Sequence, residues 1–222
     1  MSRPRLLVGV CGTATEVGKT WASAELARTL RSDGLAVAAR KPLQSFDPDD
    51  GEATDAEVLA AATGEPIVEV CPEVGWYPVP MAPPMAAAAL GRSCPSLAQV
   101  AASLAWPDSA VDVGLVETVG GVRSPLAEDG DSRDLVRALG VDVVVLVGDA
   151  GLGTIDAVRS GVDSLAPLPV VVLLNRFHPT DDLHGRNRDW LRDRDGIDVV
   201  TSVDDLARSV LAHIDDHQTE RM

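Results

Sequence analysis

Leu6-Leu7-Val8-Gly9-Val10-Cys11-Gly12-Thr13-Ala14-Thr15-Glu16-Val17-Gly18-Lys19-Thr20 is the stretch that sets the architecture of this chain. Leu6–Cys11 is a continuous apolar run, the pattern of a strand buried on both faces of a parallel sheet. A loop ending in Gly-Lys-Thr follows, and then a helical pattern with Ala22, Leu26 and Leu30 at four-residue spacing and Gly34 as its stop. In the order strand, loop, helix, exposed backbone N–H groups and the helix dipole bind anionic oxygens. Gly12, Thr13, Glu16, Val17 and Gly18 form the expected cradle for a nucleotide. Lys19 would reach its β- and γ-phosphates, and the Thr20 hydroxyl would ligate Mg²⁺. The usual spacing places a glycine where Thr13 stands, so the loop is a variant. An unliganded strand–helix turn is the plainer alternative, and the acidic Glu16 inside the loop speaks for it.

Outward from this stretch, valine-rich runs alternate with helical patterns. Further strands are expected at Leu35–Arg40, Val111–Val116, Val143–Val147 and Val170–Leu174, with a weaker one at Ile197–Val200. Helices are expected at Thr54–Ala62, Ser96–Leu104, Ser132–Leu139, Thr154–Leu165, Asp182–Arg192 and Val203–His217. This alternation predicts an α/β fold: a single doubly wound, mostly parallel sheet with helices on both faces, in one P-loop ATPase-type domain over residues 1–222. The cluster Pro78-Val79-Pro80-Met81-Ala82-Pro83-Pro84 reads as a loop, since proline fits neither a helix interior nor a central strand.

The chain has 222 residues, 45% of them hydrophobic, a net charge of −15 and a pI near 4.5. Such a surface repels nucleic acid and anionic membranes. No apolar run approaches the roughly 20 residues that span a bilayer. Leu6–Cys11 meets a glycine-containing loop instead of a small-residue cleavage site and reads as a strand, not a signal peptide. Cys11, Cys71 and Cys94 are scattered and have no metal-binding spacing, which fits a reducing, cytoplasmic setting.

Positive charge comes from seventeen arginines and only two lysines, Lys19 and Lys41. A compact ammonium and a planar guanidinium are not interchangeable at a crowded phosphate, so the two lysines point to one anionic centre. Val111–Glu117 reads as a buried strand ending in a carboxylate that would face the phosphate loop and hold Mg²⁺. Asp47–Asp55 is an acidic run of solvated-loop type, except that Asp55 begins a helix, where it could equally be a cap.

Read together and in order, these segments resemble dethiobiotin synthetase. The carriers are Gly12–Thr20, Lys41-Pro42-Leu43-Gln44-Ser45, Thr54-Asp55-Ala56, Tyr77-Pro78, Met81–Pro84, Val116-Glu117-Thr118-Val119-Gly120-Gly121, Gly151–Asp156 and Leu174-Asn175. The resemblance implies an ATP- and Mg²⁺-dependent enzyme acting on 7,8-diaminononanoate and CO₂. An amine takes up CO₂, the resulting carbamate attacks the γ-phosphate, and the second amine closes the ring and expels phosphate. It further implies that Lys19 and Lys41 stabilise charge on the γ-phosphate and carbamate. Thr15 and Ser45 would hydrogen-bond these groups; Thr20, Asp55 and Glu117 would hold Mg²⁺; Asn175 would read the adenine. Substrate contacts would come from Lys41, Ser45, Thr118, Gly120, Gly153, Thr154 and Asp156. A homodimer is implied, with the Gly151–Asp156 loop reaching the neighbour's substrate.

Four positions and one segment differ from the family's usual residues, the segment being Val200-Thr201-Ser202-Val203, which lacks the proline of the family's usual adenine loop near the last strand. Thr118-Val119 replaces Gly-Ala and would crowd the ligand-facing backbone, Phe46 follows Ser45 where glycine is common, and Asp156 stands where asparagine often meets the substrate carboxylate. Two alternatives follow: a related ATP-dependent enzyme acting on another amine, or a switch ATPase resembling the partition and Min families. Among weaker features, His213 and His217 lie four apart on the last helix as a formal metal pair, better read as residues near a helix C-terminus. Trp21, Trp76, Trp106 and Trp190 read as packing residues. Ile155, Val158, Val162 and Leu165 form a stripe that suits either core or dimer face.

Overall fold

Each of the six apolar runs forms a strand in the computed structural model, which describes residues 2–220 and side chains as far as Ile214. In chain order the strands are β1 Leu6–Gly12, β2 Val37–Arg40, β3 Gln44–Ser45, β4 Trp76–Tyr77, β5 Val113–Gly121, β6 Pro125–Ala127, β7 Gly130–Asp131, β8 Val143–Asp149, β9 Val170–Asn175 and β10 Val199–Val200. The helices are α1 Lys19–Ser32, α2 Asp55–Thr63, α3 Ile67–Val70, α4 Pro83–Ala89, α5 Leu97–Ser103, α6 Ser132–Ala138, α7 Thr154–Leu165, α8 Asp182–Asp189 (continued by a π turn at Trp190–Arg194) and α9 Val203–Glu220.

Six strands form one parallel sheet in the order β10-β9-β8-β1-β5-β2. The chain runs outward from β1 to β2, returns to β5 beside β1, and then builds the other half from β8. The order therefore reverses at β1, and ligands of such sheets bind outside the strand ends at this reversal. The loop after β1 lies there.

Continuous apolar runs are explained by burial on two sides. Leu6, Val8 and Val10 pack with Leu26 and Leu30 of α1, Leu59 of α2 and Leu206 of α9. Leu7 and Cys11 point the other way, toward Val136 of α6, Val158 of α7 and Leu191. Gly9 belongs to that second face, where an added Cβ would come within 2.8 Å of Val136 Cγ1. The Ile155–Leu165 stripe of α7 packs into this layer and is core. A third apolar group, including Leu43, Tyr77, Ala86 and Leu126, holds the segments flanking the sheet edge.

Several expectations need correction. Glu117 does not end its strand, because β5 continues to Gly121. The proline cluster is not entirely loop: Pro83 and Pro84 occupy the first turn of α4, where a missing N–H costs no helical bond. Trp21 and Trp190 are about half exposed, not packed. The His217 side chain lies outside the described residues. Among the described residues, no helix is long and apolar enough to cross a membrane.

Candidate active site

Gly12 closes β1 under a tight turn: a Cβ there would lie 2.8 Å from the Ala14 carbonyl oxygen and 3.0 Å from that of Gly120. The Thr13 N–H donates to Val147 O at 2.9 Å and fastens the loop to β8. The next five N–H groups, Ala14 through Gly18, donate to no acceptor among the described residues. With the first-turn donors of α1 they form a run of unspent N–H groups at a helix start, which fits the oxygens of a phosphate. Thr15 and Glu16 are exposed, and Val17 is buried. Gly18 is required twice over, by φ of +90° and because a Cβ would sit 2.1 Å from Asn175 Nδ2.

Lys19 lies over this loop, its Nζ 3.4 Å from Ala14 O. Burial, and then the charge of Lys41, hold its pKa below that of an ordinary lysine, against the pull of Glu117 and Asp55. At alkaline pH a fraction of Lys19 is therefore neutral in the free protein, and a bound triphosphate would recharge it. ATP binding at alkaline pH is expected to take up protons. Calorimetry in buffers of different ionisation enthalpy measures this directly, and buffer-independent heats would refute it.

Lys41, at the end of β2, is 1% exposed. Its Nζ lies 2.7 Å from Asp55 Oδ2, 2.8 Å from Glu117 Oε1 and 3.1 Å from Thr118 O. Burial alone would lower its pKa, but Glu117 and Asp55 outweigh burial and raise it. Asp55 is free for this pairing because Thr54 is the cap of α2. The Glu57 N–H donates to Thr54 Oγ1 at 3.3 Å, and the Thr54 N–H donates to Glu57 Oε2 at 2.7 Å.

Thr20 Oγ1 lies 2.7 Å from Asp55 Oδ1 and 2.8 Å from Glu117 Oε1. One hydroxyl proton cannot serve both carboxylates at once, so the three oxygens hold more lone pairs than donors. An all-oxygen set with two carboxylates fits Mg²⁺, which keeps waters and takes further ligands from substrate phosphates. Among the described residues, no group of three or more His, Cys, Asp or Glu is placed to hold a metal, so a soft-metal centre has no donor set here.

Ser23, not singled out in the sequence, donates from Oγ to Glu117 Oε2 at 2.8 Å. Its signal was a hydroxyl three residues after Thr20, on the same face of α1. Gln44 was also missed; its Oε1 accepts from the Ala56 N–H at 3.0 Å and ties the Lys41 turn to the start of α2. Ser45 Oγ is buried without a partner beside this cluster, as is Thr154 Oγ1 at the start of α7. Buried hydroxyls of this kind call for a ligand or water.

Thr118 departs from expectation. Its side chain is fully buried and its Oγ1 donates to Val10 O at 3.1 Å, so only its carbonyl reaches the site, through Lys41. Val119 packs into the third apolar group. The expected crowding is therefore absent. Gly120 has φ of +56°, and a Cβ there would meet Ser124 Oγ at 2.4 Å.

Asn175, at the end of β9, already uses its amide. Nδ2 donates to Val17 O and Oδ1 accepts from the Arg176 N–H, both at 2.9 Å. It still borders a cavity of about 460 Å³ lined by Trp21, Leu174, Phe177, Thr201 and Val203, among others. The Thr201–Val203 segment thus reaches the candidate base pocket without a proline. Across the sheet end, Leu152 is 92% exposed, Gly153 has φ of +89°, and Asp156 is exposed in the first turn of α7. Burial pushes the thiols of Cys11 and Cys71 up to about 12, which removes them as nucleophiles near neutrality.

A family model described as an AAA domain matches residues 7–210. ATP-dependent dethiobiotin synthetase from Anaeromyxobacter dehalogenans is 41% identical over 181 residues, covering 78% of each chain. That of Phenylobacterium zucineum is 39% identical over 163 residues, covering 70% of this chain and 68% of its own. Among solved structures, a plasmid partition protein from Borrelia burgdorferi superposes with a TM-score of 0.53 at 12% identity, over 99% of this chain and 100% of that one. Chloroplast FtsY from Physcomitrella patens gives 0.51 at 21% identity, over 96% and 66%. At those identities the likeness is one of fold alone.

Proposed function

The chain belongs to the ATP-dependent dethiobiotin synthetase family, and from that premise we propose that Lys41, Asp55, Glu117 and Thr20 form its reaction centre. The reaction is the ATP-dependent carboxylation of 7,8-diaminononanoate and closure of its ureido ring, yielding dethiobiotin, ADP and phosphate. The observation that carries the assignment is a fully buried ammonium, Lys41, held between two carboxylates that also share the Thr20 hydroxyl.

Phosphoryl transfer to a carbamate gathers negative charge on both reacting groups, so fixed positive charge in a water-poor site is the main resource. Lys41 would supply it from a position set by Asp55 and Glu117, turning a donor to the reacting groups as Mg²⁺ takes up those carboxylates. Lys19 supplies it from the loop side. The unspent N–H groups from Ala14 to Gly18 would hold phosphate oxygens, with Thr15 beside them, and Ser45 Oγ would donate to the carbamate. Thr20, Asp55 and Glu117 would hold Mg²⁺, which when bound neutralises charge on the β- and γ-phosphate oxygens. Asn175 and the cavity beside it would receive the base.

We place the rest of the substrate at Gly120, Gly153, Thr154 and Asp156, across a homodimer interface. The exposed Leu152 and the unpartnered Thr154 hydroxyl support this placement. The three unbridged thiols favour a cytoplasmic setting, and residues 1–222 are taken as one domain.

Protein incubated with ATP, Mg²⁺, bicarbonate and diaminononanoate should release phosphate in step with a ureido product. Phosphate release indifferent to the diamine would refute the assignment. Asp156 favours a second reading, an amine substrate without a carboxylate at that spot, since like charges there repel. Under the main reading Asp156 meets the substrate away from its carboxylate, so Asp156→Asn changes the KM for diaminononanoate by less than about twofold, a fraction of a kcal/mol. A drop of more than about fivefold selects the second reading. The switch-ATPase alternative shares only the fold with the partition protein.

A further inference from the structure

Two consecutive residues at the end of β9 hold two consecutive carbonyls of the phosphate loop. Asn175 Nδ2 donates to Val17 O at 2.9 Å, and Arg176 Nη2 donates to Glu16 O at 2.8 Å. Arg176 is anchored in turn: Nη1 lies 3.0 Å from Asp149 Oδ2, while Asp149 Oδ1 accepts from the Gly151 N–H at 2.9 Å. Glu16 and Arg176 are the two non-glycine residues with positive φ among the described residues, at +61° and +55°. Such backbone costs about 1 kcal/mol or more per residue and persists where surrounding contacts impose it.

A trans peptide sets its C=O and the following N–H in opposite directions. Drawing Glu16 O and Val17 O toward β9 therefore turns the N–H groups of Val17 and Gly18 away from β9. These are two of the loop donors that meet no protein acceptor. We propose that Arg176, with Asn175, is a carbonyl clamp that orients the phosphate-loop N–H groups before nucleotide arrives, making Arg176 a positioning residue for phosphate binding. The same guanidinium ties the loops after β1, β8 and β9 together through Asp149. The proposal rests on reading Gly12–Thr20 as the phosphate cradle.

The test is calorimetric titration of wild type, Arg176→Ala and Asp149→Asn with ADP and with pyrophosphate, together with amide exchange at Val17 and Gly18 in nucleotide-free protein. Arg176→Ala should weaken both ligands by a common factor of about ten, the scale of one charge-assisted hydrogen bond, and should speed exchange at both amides. Asp149→Asn, which leaves the arginine charge and removes a nearby negative one, should also weaken both, by about threefold. A purely electrostatic role for Arg176 predicts tighter binding by Asp149→Asn, and that result overturns the clamp. A loss confined to ADP would assign Arg176 to the base pocket instead and overturn it equally. Wild-type protein that binds neither ligand would refute the cradle itself, a separate failure.

Discussion

Lys41→Met is expected to lower turnover by about a thousandfold, the scale of one preorganised charge-stabilising donor, while ATP still binds through the Gly12–Thr20 loop. The lysine touches Asp55, Glu117 and the Thr118 carbonyl and makes no hydrogen bond to the loop. Its removal also has a structural cost. Glu117 is 1% exposed, and Lys41 is the cation it pairs with. Leaving a buried charge uncompensated costs about 3–5 kcal/mol, so the metal-free variant should melt well below wild type. With Mg²⁺ held by Thr20, Asp55 and Glu117 as proposed, the metal would bind only the folded cluster and should restore part of that loss by mass action. The sign with pH follows from Asp55. Burial pushes its carboxyl up, but the Lys41 charge and hydrogen bond, with Thr20, more than offset this and hold it below the ordinary range. A depressed carboxyl contributes stability above its unfolded pKa and loses it as pH falls through the folded one. Without Lys41 that contribution is absent at every pH, so the melting gap between wild type and variant should be widest near neutrality and narrow as pH falls into the acid range. Melting curves from neutral to acid pH, with and without Mg²⁺, measure both effects. A variant that keeps its turnover at saturating ATP but binds ATP far more weakly would move Lys41 out of the reaction centre and into the nucleotide site.

The sheet was legible because its strands are buried twice over and so read as unbroken apolar runs, from Leu6–Cys11 to Val170–Leu174. Lys19 and Thr20 were legible because a loop between such a strand and a helix leaves little choice about which groups face an anion. Lys41 was legible as a compositional oddity and through the Lys41–Ser45 segment that carries the resemblance; its burial between Asp55 and Glu117 is tertiary, set by the β2–β5 pairing and by the packing of α2. The capping pair Thr54 and Glu57 could have shown in advance that Asp55 is not a cap. The pairing of Gln44–Ser45 with Trp76–Tyr77 is too short to leave a period in the sequence. Thr118 was misjudged because a residue's identity does not say which way its strand turns it, and here the side chain turns to Val10. Arg176 gave no signal, since its side chain meets a carbonyl 160 positions earlier in the chain.

Glu117→Gln isolates the second half of the cluster. Glutamine keeps the shape and one acceptor oxygen, and its amide can donate to Ser23 Oγ where the carboxylate accepted from it. The fold should therefore survive, with the negative charge gone from the point where Thr20 and Lys41 converge. The apparent Mg²⁺ affinity should fall by about a hundredfold, at the upper end of what changes around a bound metal produce, and turnover at moderate Mg²⁺ should fall in proportion. Raising Mg²⁺ should then recover much of the rate. In Lys41→Met it should not, because there the missing group is the ammonium and not a ligand. The pair should also be strongly non-additive in stability. Lys41→Met strands a buried carboxylate, whereas Lys41→Met combined with Glu117→Gln removes that carboxylate, so the double variant should be more stable than Lys41→Met alone. A Mg²⁺ dependence for Glu117→Gln that overlays wild type would show that Glu117 serves only to hold Lys41. The metal site would then have to be sought between Asp55, Thr20 and the substrate phosphates.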